Sequence, residues 1–239
     1  VVKRWSEMMQ GSAEDKRSAA RELISAFSQD KLPAILTDKD VSAQLVQSVW
    51  TNHVSTVERY NEPGKFTAFM GYEFTSLVKG NNLHRIVIFA DGADKVSKIT
   101  PFTALDSKDP EDLWKWFTTY EQASGGKVLG IPHNGNLSNG MMFAFTNFAG
   151  APMTADYAQK RQYWEPLTEI VQAKGESESH PSLSPNDEFA DFGKQGWDVG
   201  NLDLSALKTD GMYAAEYARE ALKRGLLMEE KLGVNPFKF

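Results

Sequence analysis

Histidine and glutamate side chains lie at or near the ends of predicted strands in this sequence. Glu73 ends the run TAFMGYE, His84 begins HRIVIFA, His133 follows VLGIP, and Glu169 lies within LTEIV. Because strand ends can meet at one mouth of a sheet, these groups predict a metal shell of nitrogen and oxygen ligands. The chain has no cysteine, so the ion would be held by histidine and carboxylate, which suits Zn, Mn or Fe.

Each of these residues also has an ordinary structural explanation. Glu73 could accept hydrogen bonds from loop amides, and His84 could pack at a turn. The polar turn after His133 favours a functional role, because a buried strand rarely needs an imidazole for packing. His53 lies inside a helical pattern and is predicted to be structural, whereas the role of His180 in a long loop stays open.

Local signals predict the elements that would position these groups. Ser12 predicts a helix start, and Asp109 followed by Pro110 predicts another. Trp114 and Trp116 fall on apolar helix stripes and are predicted to be core residues. The predicted helices cover about 12–28, 41–60, 109–124 and 155–163, with a last one from about 210. The predicted strands cover 66–74, 84–90, 127–133 and 167–172, and a long loop covers 173–202.

The alternation of strands and helices predicts an α/β fold with a parallel or barrel-like sheet, in a single domain over 1–239. Only four or five strands are visible, fewer than a closed eight-stranded barrel requires. The segment Gly80-Asn81-Asn82 between the first two strands predicts a hairpin-like pair.

Composition limits the classes of partner. The net charge is -6, which argues against a nucleic-acid-binding or anionic-membrane surface. The chain shows no bilayer-spanning apolar run, no signal-peptide pattern, no phosphate-binding glycine loop and no Gly-x-Ser-x-Gly elbow. We therefore expect a soluble protein, with a serine hydrolase built on Ser138 disfavoured.

Several longer motifs carry a resemblance to a known family. They are FTAFMGYEFTS, NNLHRIVIF, IPHNGNLSNGMMF, QAKGESESHPSLSPNDEFADF and EALKRGLLMEEKLGVNPFKF. Together they span nearly the whole chain. The sequence resembles an uncharacterised bacterial family, domain of unknown function 3604, which is related to the PHP (polymerase and histidinol phosphatase) metal-dependent phosphoesterases.

The resemblance implies a distorted PHP-like (β/α) barrel of the TIM-barrel type, with divalent ions (Zn, Mn or Fe) at the C-terminal strand ends. It implies Glu73 and His133 as metal ligands, with His84 as a further candidate. It also implies a pocket for an anionic substrate, with Arg85 and Lys174 as its cationic partners. Lys174 could equally be a solvated loop lysine. The amides that would line this pocket are Asn134, Asn136 and Asn139.

The sequence departs from the PHP pattern. It contains no His-x-His pair and no Asp-x-His. We therefore expect an internal fragment that lacks the N-terminal and C-terminal strands of its barrel and has little turnover by itself. Its compartment, bacterial cytoplasm or periplasm, would depend on the missing N-terminus.

Two functional hypotheses follow. The first is a metal-dependent hydrolase, a phosphoesterase acting on a small anionic molecule with metal-activated water. The second is a non-catalytic ligand-binding or scaffold domain on the same barrel. Neither predicts a nucleic acid or membrane partner, and exposed sheet edges leave a homo-oligomer open.

Overall fold

The longer helices begin and end where the sequence offers capping groups. The computed structural model describes residues 1–239, apart from the side chain of Lys39. In the second helix, Ser12 and Asp15 form a reciprocal capping box, as predicted. In the sixth, Asp109 accepts from the N–H of Glu111, and Gly125 ends the helix with a left-handed φ of 62°, a conformation that glycine adopts without strain.

Helices alternate with short strands along the chain. The helices are α1 (Val2–Gln10), α2 (Ala13–Ser28), α3 (Ala34–Thr37), α4 (Lys39–Tyr60), α5 (Ala93–Val96), α6 (Pro110–Ser124), α7 (Ala155–Trp164), α8 (Asp210–Tyr213) and α9 (Ala218–Leu232). The strands are β1 (Met70–Phe74), β2 (Leu77–Val78), β3 (Asn81–Asn82), β4 (Arg85–Phe89), β5 (Val128–Pro132), β6 (Val171–Gln172) and β7 (Gly175–Glu176). None of the described helices combines the length and apolar character needed to cross a bilayer.

The main sheet is three-stranded, in the order β1-β4-β5, and both pairs of neighbours are antiparallel. The expectation of a parallel sheet is therefore wrong for these strands. The predicted pairing of the first two strands is confirmed, with the two-residue hairpin β2-β3 extending the connection. The described residues form no closed barrel, and the partial PHP-like barrel stays a prediction.

One face of this sheet packs against α6. Phe74, Val87 and Phe89 join Trp114 and Phe117 in the main hydrophobic cluster, which confirms Trp114 as a core residue. A second cluster lies under α9, around Phe143 and Phe237. The opposite face of the sheet carries Glu73 together with the partly buried aliphatic residues Ile86, Ile88, Leu129 and Ile131.

Several boundaries differ from the sequence prediction. The first strand begins at Met70 and not at Phe66, because Phe66 closes a turn with Glu62 after Pro63-Gly64. The predicted strand over 167–172 shrinks to the two residues of β6, which turn back at once into β7. The last predicted helix divides into α8 and α9.

Candidate metal centre

The antiparallel register brings Glu73, His84 and His133 to one face at one end of the sheet. Phe74 pairs with Arg85, and Arg85 pairs with Pro132. Successive residues of a strand point to opposite faces. Because Phe74 faces the apolar core, Arg85 and Pro132 point to the same face. Their neighbours in sequence, Glu73, His84 and His133, therefore point to the opposite face.

Glu73 links the two histidines. Its Oε1 lies 2.8 Å from His84 Nδ1 and 3.2 Å from His133 Nε2. The histidine rings are edge-on to each other, with centroids 5.6 Å apart. One ligand atom from each residue falls within 4.8 Å of the others, so the structure places the three predicted metal ligands together.

Hydrogen bonding and burial set the charges of this cluster. The hydrogen bond to His133, and then that to His84, holds the pKa of the Glu73 carboxyl well below its usual range. Burial lowers the pKa of the His84 imidazole; Glu73 opposes this shift, and the positive charge of Lys174 adds to it. The expected state is an ionised Glu73 that accepts N–H groups from the histidine rings.

The outer nitrogens of both rings are buried and have no partner among the described residues. These atoms are His84 Nε2 and His133 Nδ1. An imidazole that donates one N–H to a carboxylate presents a lone pair on its other nitrogen, which is the usual arrangement of a metal-binding histidine. A buried ring nitrogen without a hydrogen-bond partner lowers the stability of the folded protein, because its desolvation is not compensated. The three side chains together supply the nitrogen and oxygen donors that suit a divalent ion of the Zn, Mn or Fe type.

Two asparagines extend this group of unpaired atoms. Asn134 follows His133 in a left-handed conformation with φ of 51°, and its buried amide nitrogen and oxygen have no partner among the described residues. Asn82, which the sequence analysis named only as part of a turn, accepts the His84 N–H at 2.9 Å and has an unpaired Nδ2. Its position two residues before a candidate ligand is the only sequence signal for that role.

The other predicted pocket amides are engaged in loop contacts. Asn136 donates to the Lys174 carbonyl and accepts from Ser177 Oγ. Asn139 donates to the Ala206 carbonyl and accepts from Lys208 Nζ. These bonds hold the loops after β5 against the long loop, so both amides have structural partners.

Arg85 lies on the opposite face of the sheet from the cluster. Its Nε is 2.9 Å from Glu165 Oε1, and its side chain is 2% exposed. Arg161 and Trp114 contact the same carboxylate. The expectation that Arg85 binds a substrate anion beside the histidines does not fit this placement, because the residue after His84 must point to the core face.

Three further residues weighed from the sequence lie outside the cluster. Glu169 donates its N–H to the Pro132 carbonyl and accepts from Gln172. His180 bonds Asp198 at 3.1 Å and stacks on Tyr213. His53 stacks on Trp50 and contacts the Gly71 carbonyl, in keeping with a structural role.

A cavity of about 410 Å³ opens beside Glu73. Its walls come from the end of α2, the first half of α4, the residues after β1 and the loop over 100–106. The Glu73 side chain is half exposed. Glu73 thus separates the buried histidines from an open space.

Comparison with known families agrees with the motifs. A family model described as "Protein of unknown function (DUF3604)" matches residues 1–239. The chain belongs to the DUF3604 family. Searches of curated proteins and of solved structures gave no match for this DUF3604 chain. The family description assigns no activity, so the chemistry of the Glu73, His84 and His133 cluster carries the functional argument.

Proposed function

We propose that this DUF3604 chain contributes the metal-binding site of a metal-dependent hydrolase of phosphate esters, on a partial barrel related to the PHP phosphoesterases. The observation that carries the proposal is the meeting of Glu73, His84 and His133, which each offer one ligand atom within 4.8 Å of the others. Nitrogen and oxygen donors of this kind suit Zn, Mn or Fe.

Each residue of the site has a distinct role in this proposal. His84 and His133 hold the ion, and Glu73 binds it or orients both rings through their N–H groups. A divalent ion held there would lower the pKa of a bound water and polarise a phosphoryl oxygen. In the hydrolysis, the water oxygen forms a new bond to phosphorus, the ester P–O bond breaks, and the alcohol leaves with a proton from that water.

Two groups beside the cluster suit an anionic substrate. Lys174 is close enough to His84 for its charge to lower the pKa of that imidazole, and it would attract a phosphate by the same charge. Asn134 offers an unpaired amide donor next to His133. A donor that is unpaired in the free protein gains a hydrogen bond when an oxyanion binds.

Metal retention tests the proposal directly. The purified chain is loaded with Zn²⁺ or Mn²⁺, dialysed against a weak chelator and measured by elemental analysis. We expect about one retained ion per chain, since one imidazole-carboxylate cluster is assembled, and we expect its loss in His133→Asn and His84→Asn. His53→Asn is the matched control, because His53 is an exposed residue of α4 and is not a member of the cluster.

The second functional hypothesis is an outcome of the same experiment. If the unchanged chain retains no ion, or if His133→Asn retains as much as His53→Asn, the metal site is refuted. The direct bonds from Glu73 to both rings would then mark a closed structural cluster in a ligand-binding domain. Hydrolysis of an aryl phosphate that depends on added metal and is lost in Glu73→Gln would support the catalytic form of the proposal.

A further inference from the structure

The cavity beside Glu73 has an apolar wall. Phe27 at the end of α2 and Val46 on α4 face Ala104 and Leu105 of the loop over 100–106. Leu105 is 43% exposed and Ala104 is 9% exposed, so the wall runs from the interior to the surface. Apolar side chains that line a concave space are the usual lining of a small-molecule pocket.

Two carboxylate residues, Glu73 and Asp106, also line this cavity. Neither His84 nor His133 is among its described lining residues. Asp106 accepts hydrogen bonds from the N–H and the hydroxyl of Thr103. The imidazole nitrogens that contact Glu73 therefore lie outside the cavity, and Glu73 is the residue shared by the two sites.

The two sides of Glu73 therefore differ in what they can bind. On one side are the imidazoles of His84 and His133 and the Asn134 amide. On the other side is the apolar cavity of about 410 Å³. A ligand that spans Glu73 would place an anionic head beside the histidines and an apolar group in the cavity.

We infer that the cavity formed by Phe27, Val46, Ala104 and Leu105 binds the apolar alcohol portion of the substrate, so that the substrate class is an aryl or alkyl phosphate ester rather than a polar sugar phosphate. The inference rests on the proposed function, because it uses the histidine cluster as the phosphate end. It adds a specificity pocket whose residues come from α2, α4 and the loop over 100–106.

The test compares two non-hydrolysable probes, phenylphosphonate and methylphosphonate, by calorimetric titration into the Mn²⁺-loaded chain. Burial of the phenyl ring is expected to make phenylphosphonate bind at least about 10-fold more tightly. In Ala104→Trp, which fills the cavity, and Val46→Gln, which places a polar side chain at a wall position that is 36% exposed, the ratio should fall toward 1. Ala123→Trp, at an exposed position on α6, should keep the full ratio.

The two cavity variants protect the test against misfolding, since Val46 lies near the surface of a helix. Equal affinity for the two probes, no binding of either, or an unchanged ratio in both cavity variants overturns the inference. The metal content of the same samples judges the proposed function separately. A phenyl preference without bound Mn²⁺ refutes the metal site and leaves the cavity assigned, whereas bound Mn²⁺ without a phenyl preference refutes the cavity alone.

Discussion

Replacement of Glu165 by glutamine should destabilise the protein more than any other single loss of charge in the sheet region. The Glu165 carboxylate contacts Arg85 at 2.9 Å and Arg161 at 3.3 Å, and all three side chains are at most 4% exposed. Burial alone would raise the pKa of the Glu165 carboxyl, but the two guanidinium charges outweigh burial and lower it. The residue is therefore ionised and neutralises two buried cations.

The magnitude follows from what the substitution leaves behind. Arginine stays charged in proteins, so Glu165→Gln leaves two buried guanidinium groups without a counter-charge. Breaking a buried ion pair costs about 3–5 kcal/mol. Glutamine keeps the volume and can still accept from Trp114, whose indole nitrogen is 3.0 Å away, so we expect the lower end of that range, about 3 kcal/mol. This is a large part of the 5–15 kcal/mol by which domains are typically stable.

Urea unfolding followed by tryptophan fluorescence measures this loss. With a slope of about 3 kcal/mol per M, suitable for a chain of this size, the midpoint should fall by about 1 M. Glu14→Gln is the control, because Glu14 and Arg17 form an ion pair 2.7 Å long on the exposed surface of α2, and such pairs contribute little. Equal midpoints for the two variants would refute the argument that Glu165 compensates buried charge.

Three further outcomes are expected from urea titrations. Burial raises the pKa of the Glu216 carboxyl from 4.5 to about 7, so the folded state keeps a proton that the unfolded state releases. The free energy of unfolding should therefore fall by up to about 3 kcal/mol as pH rises from about 4.5 to 7. Glu216→Gln should remove this pH dependence. Ser12→Ala should cost about 1 kcal/mol by removing the cap of α2, whereas Ser18→Ala inside the same helix should not destabilise; equal effects would contradict the cap. Gly135→Ala should cost roughly 1–3 kcal/mol, because the added Cβ would meet the Glu216 carbonyl oxygen. Gly211→Ala is the control, because a Cβ there meets nothing within 4 Å. If Gly135→Ala is as stable as the unchanged protein, the loop can move to accept the Cβ and the prediction is wrong.

Local chemistry made parts of the fold predictable. The starts of α2 and α6 follow from Ser12 and Asp109, whose side chains bond backbone N–H groups two or three residues away. Whether neighbouring strands are parallel or antiparallel could not be predicted in the same way, because an alternation of strands and helices along the chain is compatible with both. Only pairing between β4 and β5, about 40 residues apart in the chain, decides it.

The meeting of the three candidate ligands could be predicted from the sequence, whereas the surroundings of the candidate site could be predicted less well. Glu73, His84 and His133 are strand-end residues, and they meet because their strands are neighbours. Arg85 was predicted to lie in the substrate pocket beside His84, but it lies on the opposite face of the sheet. The alternation of side chains along a strand already indicates this, because neighbouring residues point to opposite faces. Two residues that bury Arg85 are Arg161 in α7 and Glu165 just after that helix, four residues apart. This spacing predicts an ion pair between Arg161 and Glu165 but not the addition of Arg85.

The register of the main sheet also limits how sequences of this kind can diverge. The connection between Phe74 and Arg85 already includes the hairpin β2-β3, and loop length there can change with little effect on the pairing of β1 with β4. A single residue inserted within β4 is different, because it would move every following side chain to the opposite face and out of step with β1 and β5. Length variation among related chains should therefore collect in the turns and be excluded from the five-residue strands that set the spacing of the cluster.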